Sequence, residues 1–126
     1  SVLAENYIEI NEKLSLLQKE GFKIAIDDFG TGYSSLARES ELNVNYIKID
    51  KYFMDKLLVV DEEYAVTSEI ISMSHKLGHY VVAEGVEHAC QKEYLRKYGC
   101  DYFQGYLFSK PLSKKDAILL IKKNHL

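Results

Sequence analysis

The sequence is poor in the residues that mark special classes of protein. One proline and 7 glycines in 126 residues are too few for a collagen-like repeat or a flexible linker. The two cysteines, Cys90 and Cys100, do not make a disulfide framework. They read as reduced thiols of a cytoplasmic protein, and no CxxC pair or Cys/His cluster suggests structural zinc. No stretch approaches the ~18 uninterrupted apolar residues of a membrane-spanning helix. No basic stretch followed by an apolar run opens the chain, so no signal peptide is visible. Positive charge is not in excess either. The 16 basic and 19 acidic residues give a net charge of −3, with Lys and Arg scattered, so binding of a nucleic-acid polymer through its phosphates is not expected.

What remains is an ordinary globular mixture, 47% hydrophobic and 28% charged. It is too apolar for disorder and of a length for one domain. Apolar positions at spacings of three and four (Leu3, Tyr7, Ile10, Leu14, Leu17) predict a helix over 2–20, stopped by Gly21. The run 22–26 reads as a strand that opens into a loop at Asp27, Asp28 and the following glycines. A short helix around 35–41 leads to a strand at 46–50. A long helix over 62–77 ends at Gly78, a strand follows at 79–83, and a helix over 88–98 ends at Gly99. A strand at 102–108 precedes a last helix capped by Ser113, with Ala117, Leu120 and Ile121 on its apolar side. This rhythm is that of an α/β fold with a parallel sheet. The ten tyrosines look dispersed over core and helix faces. The basic residues of 114–123 look like the solvated side of a helix.

In parallel α/β folds the C-terminal ends of the strands share one face, where functional groups collect. Those positions hold Asp27 and Asp28, Lys48 and Asp50, Glu84 and Glu87, and Gln104. Any one acid alone reads as a helix cap or a surface group. Carboxylates from three strands around a lysine fit a purpose, because a divalent cation relieves their mutual repulsion. Hard oxygen donors suit magnesium or manganese, and no histidine stands among them. Carboxylates, metal and lysine together point to metal-assisted hydrolysis of a phosphate ester. The glycine-containing loop from Phe29 to Ser35 lacks the lysine of a P-loop, and its plain reading is a flexible turn.

Four blocks carry a resemblance: DDFGTGYSSL (27–36), YIKID (46–50), VVAEGVE (81–87) and QGYLFSKPL (104–112). In this order and spacing they resemble the second half of bacterial EAL domains, phosphodiesterases that linearise cyclic di-GMP. The resemblance implies that residues 1–126 are the C-terminal half of such a domain, four parallel βα units forming half of a TIM-like (β/α) barrel. It implies a two-metal site of Mg2+ or Mn2+ in which Asp27 is a ligand and Asp28 holds the second ion. Lys48 would orient the attacking water, and Glu84 would bind or deprotonate it. Gln104 would support the water from beside it, and Glu87 would stand near the substrate. The Glu-Ala-Leu tripeptide, the Asn and the Glu-x-Thr-Glu strand of the family's first half do not occur here. The chain also opens without Met, in a helical pattern, so it reads as a fragment that is inactive by itself. A half-barrel leaves two strand edges open, so a homodimer is expected, through those edges or through the loop 29–35. Two rivals stand beside this reading. One is a degenerate EAL domain that senses cyclic di-GMP without cutting it. The other is a phosphoacceptor receiver domain, suggested by the Asp pair, Asp50 and Lys110-Pro111 and opposed by a complete helix before the first strand.

Overall fold

The computed structural model describes residues 2–29, 42–110 and 113–124. The loop 30–35 and the expected helix around 35–41 lie outside them. Helix α1 (Val2–Lys19) leads to strand β1 (Ala25–Phe29). Strand β2 (Tyr46–Ile49) runs into α2 (Lys51–Lys56), a 3-10 turn (Glu62–Tyr64) and α3 (Thr67–Lys76). Strand β3 (Tyr80–Ala83), helix α4 (Ala89–Lys97), strand β4 (Tyr102–Phe103) and helix α5 (Lys114–Asn124) follow. The four strands form one parallel sheet in the order β1-β2-β3-β4.

Three helices hand over to their strands by the same device. In α1, Phe22 N–H donates to Leu17 O at 3.2 Å and Gly21 N–H to Gln18 O at 3.0 Å. This double closure needs a left-handed residue, and Gly21 supplies it with φ +96. His79→Ser74 with Gly78→His75, and Cys100→Leu95 with Gly99→Arg96, repeat it at the ends of α3 and α4. The closure corrects one sequence expectation. Phe22 belongs to the helix cap, so the first strand starts at Ala25 and contains Asp27 and Asp28, which had read as loop.

Two further boundaries move. The helix expected over 62–77 is broken because Ala65 takes an extended backbone (φ −76, ψ 128) and buries its side chain. The fourth strand stops after two residues, since the chain turns at Gly105. Helix α2 was not anticipated. Asp50 starts it by accepting a hydrogen bond from Tyr52 N at 2.8 Å. At α5 the expected cap is present, Asp116 N donating to Ser113 Oγ at 3.2 Å. The side chains of Ala117, Leu120 and Ile121 are outside the description.

Alternation along the strands sorts the side chains. Ile47, Ile49, Val81 and Ala83 are fully buried beneath α2, α3 and α4, with Met54, Ile71 and Leu95. The opposite face is open among the described residues. There Tyr46, Tyr80 and Tyr102, at the starts of three adjacent strands, place their ring centroids 5.9–6.5 Å apart. These three tyrosines are therefore gathered, not dispersed. Asn43 ties α1 to the sheet, its N–H donating to Asn11 Oδ1 at 2.7 Å while its carbonyl accepts from Gln18 Nε2 at 2.9 Å. The two cysteines are unpaired, Cys90 exposed and Cys100 buried. Burial pushes the Cys100 thiol up to about 11, which leaves it protonated and unreactive at neutral pH.

Candidate active site

Strands β2 and β3 pair with Lys48 opposite Val82 and Ile49 opposite Ala83. Glu84 N–H donates to Ile49 O at 2.9 Å, which carries the ladder one residue past β3. Alternation then puts Lys48 and Glu84 on the open face, near the C-terminal ends of their strands. In β1 the pairing slips between Ile26 and Phe29. Such an irregularity re-aims side chains beside functional sites, and it falls at Asp27 and Asp28.

The result is a charged group at one rim. Lys48 Nζ lies 2.8 Å from Glu84 Oε1 and 3.9 Å from Asp27 Oδ1. Lys48 is 27% exposed, Glu84 18% and Asp27 64%. Burial holds the Glu84 carboxyl above its ordinary value, and neighbouring Asp27 pushes it the same way, against the attraction of Lys48. A carboxyl in such a setting is a candidate for proton transfer or metal binding.

The other expected residues are placed as follows. The backbone of Asp28 lies in β1, and its side chain is not among the described groups. Gln104 is exposed at the end of β4, and it lines an open groove of about 530 Å³ with Lys48, Tyr46, Val82 and Tyr102. Glu87 Oε1 pairs with Lys51 Nζ at 3.4 Å, so helix α2 takes its charge. Asp50 is a helix cap. Asp27, Lys48 and Glu84 are thus brought together, with Gln104 on the adjoining groove, while Glu87 and Asp50 have structural partners.

Among the described residues Asp27 and Glu84 are the hard oxygen donors beside Lys48, and no set of three or more His, Cys, Asp or Glu groups converges there. A carboxyl raised by burial and by a second carboxylate is the setting that a divalent cation neutralises. The donor chemistry fits such an ion, with further ligands needed beyond these two.

Sequence reasoning missed Lys51, Gln91 and Gly105, which hold the turn after β3. Its Val86 N–H donates to Gln104 O at 3.0 Å, and its Val86 carbonyl accepts from Leu107 N at 3.0 Å. A Cβ on Gly105 would stand 2.2 Å from Val86 O and 2.3 Å from Val86 N. Only a residue without a side chain permits this crossing of two backbones. The Gly105→Ala variant is expected to lose about 1–3 kcal/mol in chemical denaturation. An unchanged midpoint and slope would count against the crossing.

The EAL domain family matches residues 2–111. The chain is 42% identical over 112 residues to the signaling protein YkoW of Bacillus subtilis, covering 89% of this chain and 14% of that protein. It is 47% identical over 105 residues to the probable cyclic di-GMP phosphodiesterase PdeB of Escherichia coli, covering 83% of this chain and 20% of that one. Among solved structures, the manganese and cyclic di-GMP complex of Klebsiella pneumoniae BlrP1 superposes with a TM-score of 0.69. The two are 36% identical, and the match covers 78% of this chain and 26% of that one. The chain therefore spans under a quarter of the length of these two curated relatives.

Proposed function

The chain belongs to the EAL domain family, and on that premise we propose that it supplies half of the catalytic centre of a cyclic di-GMP phosphodiesterase, converting the cyclic dinucleotide to linear pGpG. The observation that carries this is the contact of Lys48 with Glu84 and Asp27 at the ends of three adjacent parallel strands. A phosphodiester needs a water deprotonated and aimed in line, and positive charge for the phosphoryl oxygens. Glu84 is the group that accepts the proton, its raised carboxyl being a better base than an ordinary one. Lys48 orients the water and keeps the base within reach. Gln104, on the groove beside it, donates a hydrogen bond to the water or to the substrate.

Asp27, Asp28 and Glu84 are the residues that would hold Mg2+ or Mn2+, and a bound divalent ion supplies Lewis acidity and a lowered water pKa. Glu87 flanks the substrate in this reading, with Lys51 compensating its charge. In this reading residues 1–126 are the C-terminal half of the domain, which is supported by the four described strands being half the eight of a closed barrel. Among the described residues β1 and β4 carry no further strand on their outer edges, which supports pairing with a second copy; the loop 29–35 is the alternative surface for it, and its residues 30–35 lie outside the description. No helix among the described residues is long and apolar enough to cross a membrane, and the unpaired thiols fit the cytoplasm.

The test is turnover of cyclic di-GMP with magnesium or manganese. The complete domain is expected to release pGpG, and the isolated 126-residue chain to show no appreciable turnover. Robust turnover by the isolated chain, or none by the complete domain, contradicts the reading. Light scattering should show dimers, and a monomer at high concentration removes the pairing.

A further inference from the structure

The most deeply placed polar side chain near the rim takes no part in the chemistry. Gln91, in the first turn of α4, is fully buried. Its Oε1 accepts from Glu87 N at 2.8 Å and from His88 N at 3.0 Å. Its Nε2 donates to Met54 O in α2, 37 residues away, at 2.8 Å. A buried amide is costly unless each end is satisfied, and here both ends are. The partners are not arbitrary. Helix α2 follows directly on the strand that carries Lys48, and the turn 84–88 begins with Glu84. One side chain therefore joins the two segments whose charged groups meet 2.8 Å apart.

We propose that Gln91 is a positioning residue for the rim: its amide fixes the turn 84–88 against α2 and so holds the Glu84 carboxyl at Lys48. The inference rests on the phosphodiesterase reading for its consequence, and on the hydrogen bonds for its geometry. Val86 buries its own side chain in the core, and among the described residues Gln91 is the fully buried side chain that hydrogen-bonds the turn. Lys51, which contacts Glu87 and underlies Gly85, is exposed. The backbone pairing of Val86 with Gln104 and Leu107 fixes the middle of the turn and leaves its C-terminal end to Gln91.

The experiment compares Gln91→Met with wild type in the complete domain by three readouts: Mn2+ affinity without substrate, steady-state kinetics, and amide hydrogen exchange. Groups that orient site residues from behind are worth about 10–100-fold in metal affinity or activity. Gln91→Met is expected to lower Mn2+ affinity and kcat by that factor, with KM changed less than about threefold. The Glu87 and His88 amides should exchange about a hundredfold faster while those of Ile47 and Val81 keep their protection. A remote core variant, Ile71→Val, should lose thermal stability and keep wild-type kcat, which separates positioning from bulk stability. Wild-type affinity and kcat in Gln91→Met overturn the proposal, as do unchanged Glu87 and His88 amides.

If Gln91→Met does not fold, Gln91→Glu decides. It keeps an acceptor for the two N–H groups but loses the Nε2 donor that reaches Met54 O, so its Mn2+ affinity should still fall by about tenfold or more, and an affinity within about threefold of wild type overturns the proposal. If the wild-type domain neither binds Mn2+ nor cleaves cyclic di-GMP, the proposed function falls. The exchange of the turn amides then decides the role of Gln91 by itself.

Discussion

Replacing Lys48 by Met in the complete domain is expected to lower kcat for cyclic di-GMP by about 10²–10³-fold, the usual scale for one pre-aligned charged donor. The ammonium group lies between the two carboxylates, 2.8 Å from Glu84 and 3.9 Å from Asp27. Methionine keeps the apolar stem of lysine and most of its length, so the wall of the groove beside Tyr46 and Val82 is largely retained. What disappears is the charge that orients water and offsets two negative groups. With it gone, burial and Asp27 act on Glu84 unopposed and raise its carboxyl further. The pH at which activity rises should therefore move upward in the variant. Arginine in place of methionine should recover little, because a planar fork does not reproduce a compact point charge. A kcat within about threefold of wild type for Lys48→Met would remove the lysine from the chemistry.

The second large effect concerns Glu84→Gln. Loss of the proton acceptor is expected to cost about 10²–10⁴-fold in kcat. Stability should move the other way. The native protein holds a proton on Glu84 more tightly than the unfolded chain does, because burial disfavours the charged form. The stabilising contribution of this group is thus complete below the ordinary carboxylate pKa, and it is lost as pH rises through the raised value. At neutral pH, without metal, the ionised carboxylate burdens the fold. Glu84→Gln should accordingly raise the melting temperature in metal-free buffer at pH 7, with the gain vanishing by about pH 4. Such a trade of stability for activity is common at active sites. An equal or lower melting temperature at pH 7 would contradict the raised carboxyl.

The parallel sheet was legible because the strands at 46–50 and 79–83 are short apolar runs bounded by polar turns, and both lie within one residue of the observed elements. Lys48 and Glu84 could be placed on one rim in advance because both lie at or near the C-terminal ends of such runs. The first strand was misplaced because Phe22 is apolar yet serves as the last residue of a helix closure, and composition does not distinguish the two uses. Glu87 reads in sequence like Glu84, but it lies three residues further along the turn, where Lys51 is the nearer partner. Gln91 gave one usable sign, a Gln three residues into a helix, which is a capping pattern. That pattern does not show that the same amide reaches Met54 across the core. Nor could the tyrosine cluster be seen without the register, which aligns Tyr46 with Tyr80 and Val82 with Tyr102.

Anomalous scattering from crystals of the complete domain soaked in manganese locates the cation directly. The expected peak is bonded to carboxylate oxygens of Asp27 and Glu84 with Lys48 beside it, at the C-terminal ends of β1, β2 and β3. A manganese peak elsewhere in the domain, with these three side chains remote from it, would contradict this placement.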